Sequence, residues 1–146
     1  MVFLVFCSPA TAQLFGSAGG ESGLVVRPMV GFTPENPLFR KEMWTPINLE
    51  VENFSQDPVE GRLVVVPYSE TEPDNHVRIE APIQFAPSQK KLVRLLAQLP
   101  EWTEDVNVFL EPGSRGRPLA TVGVRQMDES ERLAVVLSEG EAPELG

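Results

Sequence analysis

Apolar and polar residues alternate with a period of two along much of this chain. In "INLEVEN" (47–53), Ile47, Leu49 and Val51 alternate with Asn48, Glu50 and Glu52. In "HVRIEAPIQF" (76–85), Val77, Ile79, Ala81, Ile83 and Phe85 alternate with Arg78, Glu80 and Gln84. Side chains of extended backbone point to opposite sides in turn, so each run predicts a strand with one oily and one wet face. "RLVVVPY" (62–68) is nearly unbroken in its apolar character, as expected of a central strand or one covered on both faces. Further strands are predicted at "GLVVRPMVGF" (23–32), "VNVFLEP" (106–112), "PLATVGVRQ" (118–126) and "ERLAVVLS" (131–138).

Between "INLEVEN" and "RLVVVPY" the alternation stops at Asn53. A polar connection follows, with Asp57-Pro58 as turn former, and Gly61 is read as the point of re-entry into the next strand. Trp44 and Pro46 stand at the start of the first of these strands, where proline is tolerated. "PSQKKLVRLLAQLP" (87–100) supports two readings. Leu92, Leu95, Leu96 and Leu99 follow helical spacing with Ser88 as N-cap, while Val93, Leu95, Ala97 and Leu99 fit one face of a strand. Its strand neighbours favour the strand. Runs spaced by roughly 10 to 16 residues with turn chemistry between them predict an all-β, antiparallel β-sandwich of seven or eight strands.

A chain of 146 residues is enough for one domain with its own core. Its 14 prolines fall mostly at the ends of apolar runs, which agrees with a strand-and-loop protein. The net charge of −9 argues against a nucleic-acid binder, which needs a basic stripe to displace phosphate counterions. The triplet Lys90, Lys91 and Arg94 is too small to reverse that. Beyond Met127, Asp128, Glu129, Glu131, Glu139, Glu141 and Glu144 oppose only Arg132, so this end supplies five of the nine net charges. It reads as a solvating acidic segment over 128–146 that includes a last strand.

The first 12 residues read as an export signal. Val2 to Cys7 are apolar, Pro9 breaks the run, and Ala10-Thr11-Ala12 has the small-x-small form of a cleavage site. The apolar core is brief and no Lys or Arg precedes it, as in a leader whose start lies further upstream; a buried first strand is the alternative. Cleavage after Ala12 removes Cys7, the only cysteine, and leaves a glycine-rich lead-in over 13–23 before a sandwich over 24–127. The expected address is extracytoplasmic: periplasmic, cell-envelope or secreted. No stretch approaches the roughly 18 apolar residues of a membrane-spanning helix, so no transmembrane segment is expected in this chain.

Candidate chemistry is sparse. His76 is the only histidine, and neither a G-x-S-x-G elbow nor a P-loop occurs, so no catalytic residues are assigned. "EPGSRGRP" (111–118) reads as a hairpin loop. Glu70, Glu72 and Asp74 in "SETEPDN" (69–75) are oxygen ligands of the kind calcium takes, but Pro73 stiffens the stretch and a solvated acidic loop competes with the metal reading. No other cofactor is implied. Trp44, Tyr68 and Trp102 are the aromatics available for a carbohydrate-stacking platform if exposed and coplanar; at strand ends they are expected instead to plug the core. Asn53-Phe54-Ser55 has the form of a glycosylation sequon.

"WTPINLEVEN" (44–53), "EGRLVV" (60–65), "IQFAPSQKKLVRL" (83–95) and "ERLAVVLS" (131–138) together resemble the N-terminal immunoglobulin-like β-sandwich of poorly characterised exported bacterial proteins. The resemblance implies an immunoglobulin/fibronectin-III-like fold acting as a non-catalytic scaffold or protein-interaction module within a larger cell-envelope protein. Its partner would be another protein or an adjacent domain of the same full-length chain. Some relatives continue into a glutamine amidotransferase-like domain, in which case Leu133 to Leu137 would be the first strand of that domain. The resemblance carries no functional residues.

Overall fold

A computed structural model of the chain describes residues 23–32, 37–73, 76–114, 116–128 and 130–131. The predicted export signal, most of the predicted lead-in and the strand predicted over 131–138 therefore lie outside the described residues, apart from Gly23 and Glu131. Among the described residues nine strand segments follow in order: β1 (Leu24–Val30), β2 (Leu38–Phe39), β3 (Trp44–Asn53), β4 (Val59–Tyr68), β5 (Ile79–Phe85), β6 (Lys90–Gln98), β7 (Asp105–Glu111), β8 (Ala120–Gly123) and β9 (Arg125–Gln126). The described residues contain no helix. The ambiguous segment 87–100 is strand β6, and Ser88, the candidate N-cap, sits in a tight turn at φ 56°.

Two antiparallel sheets pack together, one ordered β1-β3-β6 and the other β5-β4-β7-β8. The fold is all-β and has the form of a sandwich. The strand predicted over 118–126 is broken at Val124, whose N–H donates to the Glu104 carbonyl at 2.8 Å. Beyond the break, β9 runs parallel to β2. That small pair forms because the Arg125 and Met127 amides donate to the carbonyls of Pro37 and Phe39.

Strand parity decides what each sheet buries. Ile47, Leu49 and Val51 of β3 face inward and meet Leu63 and Val65 of β4 and Val106, Val108 and Leu110 of β7 in one core. Removing each such side chain from water contributes about 1.5–3 kcal/mol. β4 reads as unbroken because it is central: Leu63 and Val65 point into the core, and Val64, on the outer side, is also buried, with Phe109 and Glu80 beside it. Gly61 is not the re-entry point. It lies within β4, which begins at Val59, and a Cβ there would come 2.7 Å from the Glu111 carbonyl oxygen. The missing side chain lets β7 approach.

The break at Asn53 has a chemical cause. Asn53 is fully buried, yet its side chain uses both ends. Nδ2 donates to the carbonyls of Asp57 (2.9 Å) and Ala86 (3.1 Å), and Oδ1 accepts from the Ser55 amide (3.0 Å) and hydroxyl (2.7 Å). One amide thus ties the β3–β4 loop to the β5–β6 turn. A side chain committed in this way cannot accept a glycan in the folded domain, so the sequon is structural.

The strands at the margins carry features that oppose further pairing. Pro28 lies within β1 and Pro82 within β5, where the missing N–H interrupts any added ladder. Lys90, Lys91 and Arg94 guard β6 by charge. Lys91 also straps the two sheets together: its Nζ donates to the Gln84 carbonyl at 2.7 Å and lies 5.2 Å from the centre of the Phe85 ring.

Candidate functional site

The three aromatics singled out in the sequence share one end of the sandwich but not one face. Trp44 opens β3 opposite Gln98, the last residue of β6, and Tyr68 closes β4 opposite Asp105, the first residue of β7. Trp102 lies in the connection between β6 and β7, in a turn held by two hydrogen bonds from Thr103 to the Pro100 carbonyl. Parity turns Trp44 outward from the three-stranded sheet, since its neighbour Thr45 is buried. Tyr68 is outward on the other sheet. Trp44 is not a core plug: 63% of it is exposed, while Tyr68 and Trp102 are half-buried.

Glu70 and Glu72 are exposed, and their loop is organised by its own hydroxyls, with Ser69 Oγ 2.8 Å from Thr71 Oγ1. Asp74, the third candidate calcium ligand, lies outside the described residues. Among the described residues, no group of three His, Cys, Asp or Glu is placed to hold a metal ion. The 111–118 segment is a β7–β8 hairpin loop closed on itself by the Ser114 amide and hydroxyl against the backbone of Leu110. A shallow, open depression of about 420 Å³ beside Gly61 and Ile83 is flanked by Glu60 and Gln84, which are hydrogen-bonded to each other.

The most unusual surface surrounds Trp44. The Gly31 amide donates to the Pro46 carbonyl at 2.9 Å, bringing the end of β1 against the start of β3. Gly31 has φ +80°, and a Cβ there would collide with the Leu38 carbonyl. Pro46 in turn lies opposite Leu96 of β6. Trp44 and Leu96, each 63% exposed, therefore lie on adjacent strands of one outer face, while Phe32, just past β1, and Met43, just before β3, are 54% and 57% exposed. Leu92, 50% exposed, continues the stripe down the same outer face, and half-buried Met29 flanks it. Single exposed apolar residues are ordinary, whereas large contiguous apolar patches are found at interaction surfaces.

Charge divides the two faces. The strands of the three-stranded sheet carry Arg27, Lys90, Lys91 and Arg94 against Glu50 and Glu52. Those of the four-stranded sheet carry Arg62 against Glu60, Glu80, Asp105 and Glu111. On the first face Glu50 receives Arg27 at 2.8 Å and Lys90 at 3.0 Å, and the Lys90 hydrogen bond, then that of Arg27, holds its carboxyl below the usual carboxylate range. Arg94, between Leu92 and Leu96, has no hydrogen-bond or ion-pair partner for its side chain among the described residues. On the second face the charges answer one another: Arg62 meets Glu80 at 3.1 Å, and Arg78 meets Glu111 at 2.8 Å and Glu80 at 3.4 Å.

Sequence reasoning found Trp44 but not its companions. Leu92 and Leu96 are submerged in a leucine pattern, Phe32 ends the strand read over 23–32, and Met43 stands just before the strand that opens at Trp44. The available signal is the strand reading of 87–100: with Val93, Leu95, Ala97 and Leu99 on one face, Leu92, Arg94 and Leu96 fall on the other. Comparison with protein-family models, curated proteins and solved structures finds no match to this chain.

Proposed function

We propose that this chain is a non-catalytic, exported β-sandwich module that serves as a scaffold or protein-interaction domain within a larger cell-envelope protein, docking through the apolar corner of its three-stranded sheet. The observation that carries this reading is the exposure of Trp44, Leu96 and Leu92 on one outer face of β3 and β6, with Arg94 between the two leucines and unpaired among the described residues. Aromatic anchors and arginine are residue types enriched at protein interfaces. Proline and lysine blunt the strand edges, which favours docking on a face over addition of a strand.

The finer fold is read as immunoglobulin/fibronectin-III-like. Support comes from the three-and-four strand partition, the β4–β5 and β7–β8 hairpins within one sheet, and the way β1 and β2 divide their pairing between β3 and β9. Export is supported by the residue pattern of positions 1–12. A carbohydrate platform built on Trp44, Tyr68 and Trp102 is not adopted, because parity sends Trp44 and Tyr68 to opposite outer faces.

The test is site-specific photocrosslinking in the producing cell, with the reactive residue at position 96 and, as the opposite-face control, at Thr121. Defined adducts to another protein from position 96 and none from 121 are expected. Equal adducts from both faces, or none from 96, would overturn the reading.

A further inference from the structure

The two margins of the sandwich are closed to different degrees. Where β1 meets β8, the inward residues Leu24, Val26 and Val30 are buried. On the other side β5 and β6 follow one another across a tight turn, one at the edge of each sheet. There the inward residues Ile79 and Ile83 of β5 and Val93 and Leu95 of β6 pack against the core but are only half-buried. Lys91 straps this seam at its turn end, through the Gln84 carbonyl.

The edge of β6 beside the seam is nine residues long and free of proline. The Asn53 amide donates to the Gln89 carbonyl, and the antiparallel register continues from there to Trp44 and Gln98. Hydrogen-bonded pairs alternate along such a ladder, so Lys91, Val93, Leu95 and Ala97 exchange their bonds with β3. The amides and carbonyls of Lys90, Leu92, Arg94 and Leu96 point the other way, and among the described residues β6 pairs with β3 alone.

The charges on β6 are all of one sign: Lys90, Lys91 and Arg94, with no acid among them. A second copy set along this edge would bring base against base, and like charges directly opposite one another destabilise a strand pair. An acidic strand meets no such barrier. Lys90 is held by Glu50 and Lys91 by Gln84, which leaves Arg94 as the base on β6 without a side-chain partner among the described residues.

We infer that the free edge of β6 takes an extended acidic peptide segment of another protein as an added strand. Its backbone would bond to Lys90, Leu92, Arg94 and Leu96, with a carboxylate beside Arg94 and alternate apolar side chains turned toward Ile83, Val93 and Leu95. The bases that keep copies of the domain apart then select the sign of what is admitted. The inference concerns the edge of the sheet, not its outer face.

Fluorescence anisotropy tests it on the full chain, with labelled peptides matched to β6 in length. A peptide of alternating valine and glutamate is expected to bind roughly tenfold more tightly than one of valine and lysine. Leu92→Pro removes an edge amide that β3 does not use, and is expected to weaken valine–glutamate binding by roughly tenfold. Leu92→Ser keeps that amide and is expected to stay within roughly twofold of the parent. Circular dichroism confirms that each variant keeps its strands, and Leu96→Pro with Leu96→Ser replaces the pair if Leu92→Pro does not fold. No binding of the valine–glutamate peptide, equal binding of both peptides, or equal losses from proline and serine each overturns the proposal.

Discussion

At one end of the sandwich a polar side chain is taken out of water, and at the other an apolar one is left in it. Asn53 and Trp44 occupy the two ends of the same strand, and each breaks the usual rule of burial in the opposite sense. The exception at Asn53 is satisfied from inside, because four hydrogen bonds use the amide's carbonyl and NH2. The exposed face of Trp44 has no such internal explanation among the described residues. Asn53 therefore belongs to the architecture, and Trp44 to what the domain meets.

That contrast can be broken most directly by stability measurements. Asn53→Leu leaves the Asp57 and Ala86 carbonyls and the Ser55 amide without their partner, and is expected to cost about 3 kcal/mol in urea unfolding. Trp44→Ser is expected to stay within about 0.5 kcal/mol of the parent. Equal losses would erase the distinction between the two ends.

A finer version uses neighbours in β6. Leu95 packs against the core, while Leu96 is exposed. Leu95→Asp is expected to cost about 2–3 kcal/mol and Leu96→Asp almost nothing, as read from the urea midpoint. If Leu96→Asp is the more damaging, the face is not an open surface. Loss of the Lys91 strap in Lys91→Ala is expected to cost about 1 kcal/mol, visible as a drop in thermal midpoint.

The smallest effect is electrostatic. Glu50 and Glu131 both have carboxyls held below the ordinary value of 4.5, Glu50 by Lys90 and Arg27, Glu131 by Arg125 and the Asp128 amide. The folded chain then gives up these protons more readily than the unfolded chain. The resulting stabilisation is present above the ordinary carboxylate range and is lost as pH falls through the lowered folded values. Because both groups are at the surface, the effect is expected to be slight and to shrink in high salt. Thermal midpoints of the parent and Glu50→Gln, compared across that acid range, check the sign.

The strands were legible because period-two alternation is imposed by backbone geometry. Even "KKLVRLLAQ" follows it once its leucines are sorted: Leu95 faces the core and Leu96 faces out, so the helical spacing arises from two different faces superimposed. The two-residue pairing of β2 with β9 was not legible, since it depends on backbone amides and carbonyls brought together by the rest of the fold. The break at Val124 was hidden for the same reason. Trp44 was visible as a residue but not as a surface, because its neighbour Leu96 is set by the pairing of β3 with β6. Asn53 looked like the end of a strand, and its role as a tie between loops required knowing where Ala86 would arrive.

The guards on the strand margins differ in kind. A proline in β1 or β5 blocks a newcomer by geometry, under any solution condition. β6 relies on its ammonium and guanidinium groups, whose reach contracts to about 3 Å at molar ionic strength. The domain is therefore expected to remain dispersed in dilute buffer and to begin cohering along β6 when concentrated in brine, a weakness to anticipate when handling or crystallising it.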